Sequence, residues 1–164
     1  MKAYGTGKSI ITVISENIPD ELKSRPQWIN WRLEKRGGDL TKVPYKPGTE
    51  RKASSIDLLT WGTFEEAIEV LERYEGVGFV FCSADPYVGV DLDGCVNPET
   101  SEVQPWAAQV IENLDSYTEL SPSGEGVHII VRGKIPRSGR RGPVEMYSQD
   151  RFFTMTGHIT GESG

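Results

Sequence analysis

The chain has 164 residues, which by size is one domain, or one domain with a short arm. Hydrophobic residues make up 37% and charged residues 26%, a balance that excludes a disordered chain and allows a core without disulfide or metal staples. The net charge of −6 excludes binding to nucleic acid by bulk charge alone, while leaving room for a locally basic groove.

In chain order, residues 1–17 read as an N-terminal arm and residues 18–164 as the folded core. Within the arm, Gly5-Thr6-Gly7-Lys8-Ser9 imitates a phosphate loop, but the first glycine that motif requires falls on Lys2, so the motif fails. Pro19, Asp20 and Glu21 open a short helical turn. Residues 27–34 alternate Ile29, Trp31 and Leu33 against Trp28, Asn30, Arg32 and Glu34, the pattern of a half-buried strand. A turn at 36–39 and a returning strand at 41–45 complete a hairpin. Phe64, Ala67, Ile68 and Leu71 at helical spacing predict an amphipathic helix over 63–74. Strands are predicted at 76–82 and 87–93, with a turn at 83–86 between them. Pro105 opens a second helix that runs to Leu114. Further strands are predicted at 117–120, 127–132, 144–147 and 152–155. The predicted class is α+β, with one mostly antiparallel sheet and two helices packed on a face.

Cys82 and Cys95 are too few for a zinc site and form no Cys-x-x-Cys pair, so buried, reduced thiols are expected. Nothing resembles a signal peptide and the apolar runs are short, so a cytoplasmic location without membrane contact is expected.

Four groups of residues bear chemistry. In Val90-Asp91-Leu92-Asp93 the two-residue period of a strand puts Asp91 and Asp93 on one face. Paired carboxylates repel, and Mg²⁺ or Mn²⁺, which favour oxygen ligands, would offset the repulsion. The plainer alternative is a solvated loop start. In the run from Ser121 to His128, the small residues Ser121, Ser123, Gly124 and Gly126 let backbone N–H groups approach phosphate oxygens. His128 then faces the same side of its strand as Ile130 and Arg132; an ordinary Gly/Ser hairpin is the alternative. Glu145 is a lone acid between Val144 and Met146, and has value only in company. Finally, residues 132–151 carry six basic side chains, Arg132, Lys134, Arg137, Arg140, Arg141 and Arg151, against two acids, with an exposed loop expected over 133–142. A basic loop beside an acidic metal site suits a polyphosphate or a nucleic-acid backbone. The four tryptophans read as packing residues, with Trp28, on the polar face of its strand, also a candidate for base stacking.

In this order the pieces resemble the archaeo-eukaryotic primase superfamily, and most nearly the primase–polymerase domains of phages and plasmids. Its three motifs match Asp91-Leu92-Asp93, Gly126-Val127-His128 and Val144-Glu145. The flanks agree at residues 28–31, 42–44, 61–67, 76–79, 117–119 and 151–157, so the resemblance covers about residues 27–157, most of the chain. It implies an RRM-like sheet and a DNA primase–polymerase that transfers a nucleotide from an NTP or dNTP to a 3′-hydroxyl on a single-stranded DNA template. Asp91, Asp93 and Glu145 would hold two divalent ions, Mg²⁺ or Mn²⁺. His128 would contact the nucleotide's phosphates, with Ser121, Ser123, Gly124, Gly126 and Arg151 nearby. Arg132, Arg140 and Arg141 are the candidate nucleic-acid contacts. The sequence departs from the family in having Glu145 where many members have Asp, so an altered metal geometry is expected. It also stops soon after Gly157, where relatives continue into a helical region and often a helicase; an excised core that relies on a tethered partner is expected. Two rival readings remain open: a metal-dependent nuclease or phosphohydrolase, and a catalytically silent module that binds single strands.

Overall fold

The computed structural model describes residues 12–159, and its first sheet starts from a hairpin. Strands β1 (Trp28–Arg36) and β2 (Asp39–Tyr45) pair antiparallel with Arg36 opposite Asp39. Between them Gly37 and Gly38 adopt φ +59° and +92°, the left-handed pair that a two-residue turn needs to match the twist of its strands. Strand β3 (Gly76–Phe81) pairs with the other side of β1, and β9 (Arg151–Met155) pairs with β3, giving the order β2-β1-β3-β9. The second sheet joins β4 (Tyr87–Leu92), β5 (Tyr117–Leu120), β6 (Val127–Arg132), β7 (Gly139–Arg141) and β8 (Val144–Tyr147) in the order β5-β6-β4-β8-β7. Every pairing in both sheets is antiparallel.

The class is thus α+β with antiparallel sheets, but the strands expected in one sheet are divided between two. The division follows from burial: all six residues of β3 are buried, so the first sheet needs cover on both faces. Between the sheets, Trp28, Val77, Phe79 and Phe81 meet Phe153, Tyr87 and Ile130, with Leu22 of α1 (Asp20–Lys23) and Phe64 and Ala67 of α2 (Phe64–Glu69) at the margin. The Phe79 ring lies edge-on to Trp28, Phe81 and Tyr87, with centroids 5.4, 5.5 and 6.0 Å away. Outside the second sheet, Val88, Val90, Leu92, Val127 and Ile129 pack with Ala107 of α3 (Pro105–Leu114). Outside the first, Ile29, Trp31 and Val80 lie with Trp61.

Several expectations need correction. Trp28 is fully buried against Phe64 and donates its indole N–H to the Leu22 carbonyl at 3.0 Å, so it cannot stack on a base. Its alternation suggested an open face, but β1 is an interior strand and both of its faces are covered there. The helix expected over 63–74 ends at Glu69, and Leu71–Arg73 continues as a 3₁₀ turn. Glu65 and Glu66 favour its first turn, where Thr63 and Glu66 form a capping box; Glu69 has no basic partner in the last turn to offset the helix dipole. The loop expected over 133–142 contains β7, which pairs with β8. Cys82 is free but only half-buried, while Cys95 is free and buried.

Of the expected arm, residues 1–11, including Gly5-Thr6-Gly7-Lys8-Ser9, lie outside the described residues. From Ile14 onward the chain is tied to the turn after β9. Ile14 N–H donates to the Thr156 carbonyl at 2.7 Å, and the Asn17 amide to the Gly157 carbonyl at 2.9 Å. Among the described residues no helix is long and apolar enough to cross a membrane.

Candidate active site

Strand register assembles the site. Glu119 of β5 lies opposite His128 of β6, His128 opposite Asp91 of β4, Asp91 opposite Glu145 of β8, and Glu145 opposite Arg140 of β7. Residues paired in this way share a face, so these five form one row across the inner side of the second sheet. Asp93 follows two residues after Asp91, just past the end of β4, and joins the same side. Ligand oxygens of Asp91, Asp93 and Glu145 all lie within 4.8 Å of one another.

Three acids this close are electrostatically unfavourable. Burial, then the charges of Asp93 and Glu145, push the Asp91 carboxyl up to about 7. The Arg140 guanidinium bridges the other two, bonding to Asp93 and standing 3.4 Å from Glu145. Tyr147 donates its hydroxyl to Glu145, and Arg151 lies over the Tyr147 ring at 4.9 Å. An excess of negative charge on oxygen donors, already drawing in one cation, fits a hard divalent ion.

His128 is set between Asp91 and a ring. Its Nε2 stands 3.6 Å from Asp91 Oδ1, and its imidazole stacks on Phe153 at 4.4 Å and 19°. Burial, helped by the nearby Lys42 charge, brings its pKa down to about 4, so the imidazole is neutral at pH 7. Its Nδ1 is buried with no hydrogen-bond partner among the described residues. Lys42 reaches this point from β2 of the other sheet. It lines, with Asp91, His128, Tyr147 and Arg151, a cleft of about 190 Å³. A larger groove of about 730 Å³ runs along residues 96–105 and includes none of these side chains. Chemistry, rather than size, locates the site.

The remaining expected residues fall in three places. The Ser121–Gly126 turn borders the acids, since a Cβ on Gly126 would come within 2.5 Å of the Leu92 carbonyl and 3.6 Å of Asp93 Cα. It is internally bonded: Gly126 N–H donates to Ser121 Oγ, Glu125 N–H to Ser123 Oγ and Gly124 N–H to the Ser121 carbonyl. Three N–H groups that the sequence left free for phosphate are therefore already engaged, because so tight a turn satisfies its own backbone. Arg141 is exposed and opposite Val144, so it points to the other side of the sheet from Arg140. Arg132 is four residues beyond His128, about 13 Å along the strand, and pairs with Glu21 at 2.7 Å.

Sequence reasoning missed Lys42 and Tyr147 as site residues, and it missed the anchor Glu119. Glu119 is fully buried and accepts from Thr156 N–H at 2.8 Å, Gly157 N–H at 3.0 Å and Tyr117 O–H at 2.6 Å. It fixes the turn after β9 to the end of the row. The available signal was a charged residue inside a predicted strand, which alone does not tell a wet face from a buried anchor.

Asp91 and His128 act oppositely on stability. Asp91, raised, keeps a proton that the unfolded chain releases near pH 4, so its contribution is lost as pH rises toward 7. His128, lowered, contributes above its unfolded value and loses that contribution as pH falls toward 4. In the metal-free protein Asp91→Asn removes only the first effect. The variant is expected to gain about 2 kcal/mol over wild type between pH 5.5 and 7.5, read by urea unfolding at both pH values. Parallel pH profiles of the two proteins would contradict the assignment.

Clustered carboxylates, a neutral histidine and flanking cations on an antiparallel sheet make a centre suited to a divalent ion and a phosphate-bearing ligand. No family model matches the chain. The chain is similar to the DNA Primase-polymerase of Nitratiruptor phage NrS-1, with 39% identity over 147 residues, covering 84% of this chain. It spans 20% of that relative's length.

Proposed function

We propose that this chain is the catalytic core of a template-directed DNA primase–polymerase of the archaeo-eukaryotic primase superfamily, with the RRM-like sheet of that group. The observation that carries the reading is the cluster of Asp91, Asp93 and Glu145 within 4.8 Å beside a neutral histidine. The similarity to a phage primase-polymerase supports it.

In this reading Asp91, Asp93 and Glu145 hold two divalent ions, Mg²⁺ or Mn²⁺. Bound there, the ions supply Lewis acidity to the attacking 3′-hydroxyl and to the triphosphate. Tyr147 keeps Glu145 oriented through its hydroxyl. His128, neutral and braced on Phe153, donates an N–H to a phosphate oxygen of the incoming NTP or dNTP. Lys42 and Arg151, on the cleft wall, offset the charge of the triphosphate. Ser121, Ser123, Gly124 and Gly126 shape the nucleotide's other border. Arg140 exchanges the acids for the nucleic-acid backbone, while Arg141, on the other side of the sheet, and Arg132, held by Glu21, stay apart from it.

The test is extension of a labelled DNA primer on a longer single-stranded template with Mn²⁺ or Mg²⁺ and either dNTPs or NTPs. Lengthened primer with release of pyrophosphate is the expected result. Shortened primer would replace this reading with a nuclease. Unchanged primer with metal-independent strand binding would replace it with a silent binding module.

A further inference from the structure

Ile56, Leu58 and Leu59 are 75%, 68% and 74% exposed, an apolar group on the loop between β2 and α2. The loop that presents them is braced. Asp57 Oδ1 accepts from Leu59 N–H at 3.0 Å, and Trp61 donates its indole N–H to the Ser54 carbonyl at 2.7 Å. Lys46 Nζ donates to the Leu59 carbonyl at 2.8 Å. The base of the loop packs through Trp61 in the cluster that includes Phe152, the neighbour of the Phe153 that supports His128. Ser55 Oγ bonds the Asp150 carbonyl at 3.0 Å, one residue from the Arg151 that lines the cleft.

Charge around this prong is opposite to that of the chain. Residues 42–59 hold Lys42, Lys46, Arg51 and Lys52 against two acids, Glu50, which Arg32 engages at 2.9 Å, and Asp57, which caps the loop at Leu59 N–H. Residues 132–151 hold six basic residues against two acids. The Ser55–Asp150 bond ties the loop that carries the prong to this second basic stretch, inside a protein of net charge −6. A partner that is polyanionic and also offers flat apolar faces fits such a surface, and unpaired nucleic acid is that partner.

We propose that Ile56, Leu58 and Leu59 form an apolar prong that packs against the faces of unpaired template bases beside the acidic row, with Lys46, Arg51 and Lys52 facing the template phosphates. The proposal rests on the polymerase reading in taking the bound strand to be the template.

The probe is a fluorescein-labelled primer–template with a single-stranded overhang carrying 2-aminopurine, titrated with the whole chain without nucleotide. Leu58→Gln with Leu59→Gln is expected to weaken binding about tenfold and to abolish the 2-aminopurine change. The salt slope should stay as in wild type, because no charge is removed. Arg51→Gln with Lys52→Gln is expected to lower that slope by about 1.4. Ile56→Gln, a single exposed change, should weaken binding in the same sense, and thermal melting of each variant verifies folding. Unchanged affinity and 2-aminopurine response in the leucine variant would overturn the proposal, as would a wild type that does not bind this DNA. Loss of self-association in sedimentation with DNA binding intact would overturn it in favour of a second copy of the chain. Prong-dependent binding without primer extension supports the prong and rejects the polymerase; extension that tolerates the leucine variant at equal DNA affinity does the reverse.

Discussion

Asp91→Asn is expected to reduce primer extension about 1,000-fold while making the metal-free protein more stable at pH 7.5. The activity loss follows from position. Asp91 stands in the middle of the row, opposite both His128 and Glu145, with its ligand oxygen within 4.8 Å of those of Asp93 and Glu145. In the proposed mechanism an asparagine keeps the shape but removes the charge that would hold a divalent ion, and several kcal/mol of transition-state stabilisation would go with it. The gain in stability follows from burial: the same carboxyl is pushed up to about 7 by its surroundings, so its ionised form is a cost to the fold at pH 7.5. A residue kept for structure would show the opposite pairing, lower stability with activity falling in proportion. Primer extension and urea unfolding measured on one preparation decide between them.

Gly126→Ala is expected to lower extension about 100-fold and the melting temperature by about 3–10 °C. A methyl at this position would come within 2.5 Å of the Leu92 carbonyl, a backbone atom with little freedom to yield. Leu92 ends β4 and pairs with both Val127 and Val144, so a shift there moves Asp93 relative to Asp91 and Glu145. Overpacking costs about 1–3 kcal/mol, and a displacement of about 1 Å in a catalytic group is enough for the activity loss. Gly133→Ala is the control, since its added methyl meets nothing within 4 Å. Equal melting and equal extension by the two variants would show that the close approach at Gly126 does not position the acids.

Much of this site was legible because it lies within strands. The period of β4 put Asp91 and Asp93 on one side, and the periods of β6 and β8 marked His128 and Glu145 as polar residues in apolar strands. Errors came where local pattern and tertiary cover disagree. Trp28 alternates like a surface residue and is buried, because α2 covers the face on which its strand carries Asn30, whose amide donates to the Ala67 carbonyl at 3.0 Å. Arg132 shares the sign of Arg140 and the strand of His128, yet its distance along that strand removes it from the row.

By itself the sequence determined the antiparallel α+β elements, the glycine turn of the first hairpin, the three acids and the histidine. These depend on side-chain period, backbone freedom and residue chemistry, all of which are local. Only the tertiary structure decided that strands β5, β6, β4, β8 and β7 bring Glu119, His128, Asp91, Glu145 and Arg140 into a single row. It also decided that Lys42 crosses to them from the other sheet. Strand order and sheet packing follow from burying both faces of β3 and the inner faces of both sheets at once, a many-body condition that no local window of residues contains.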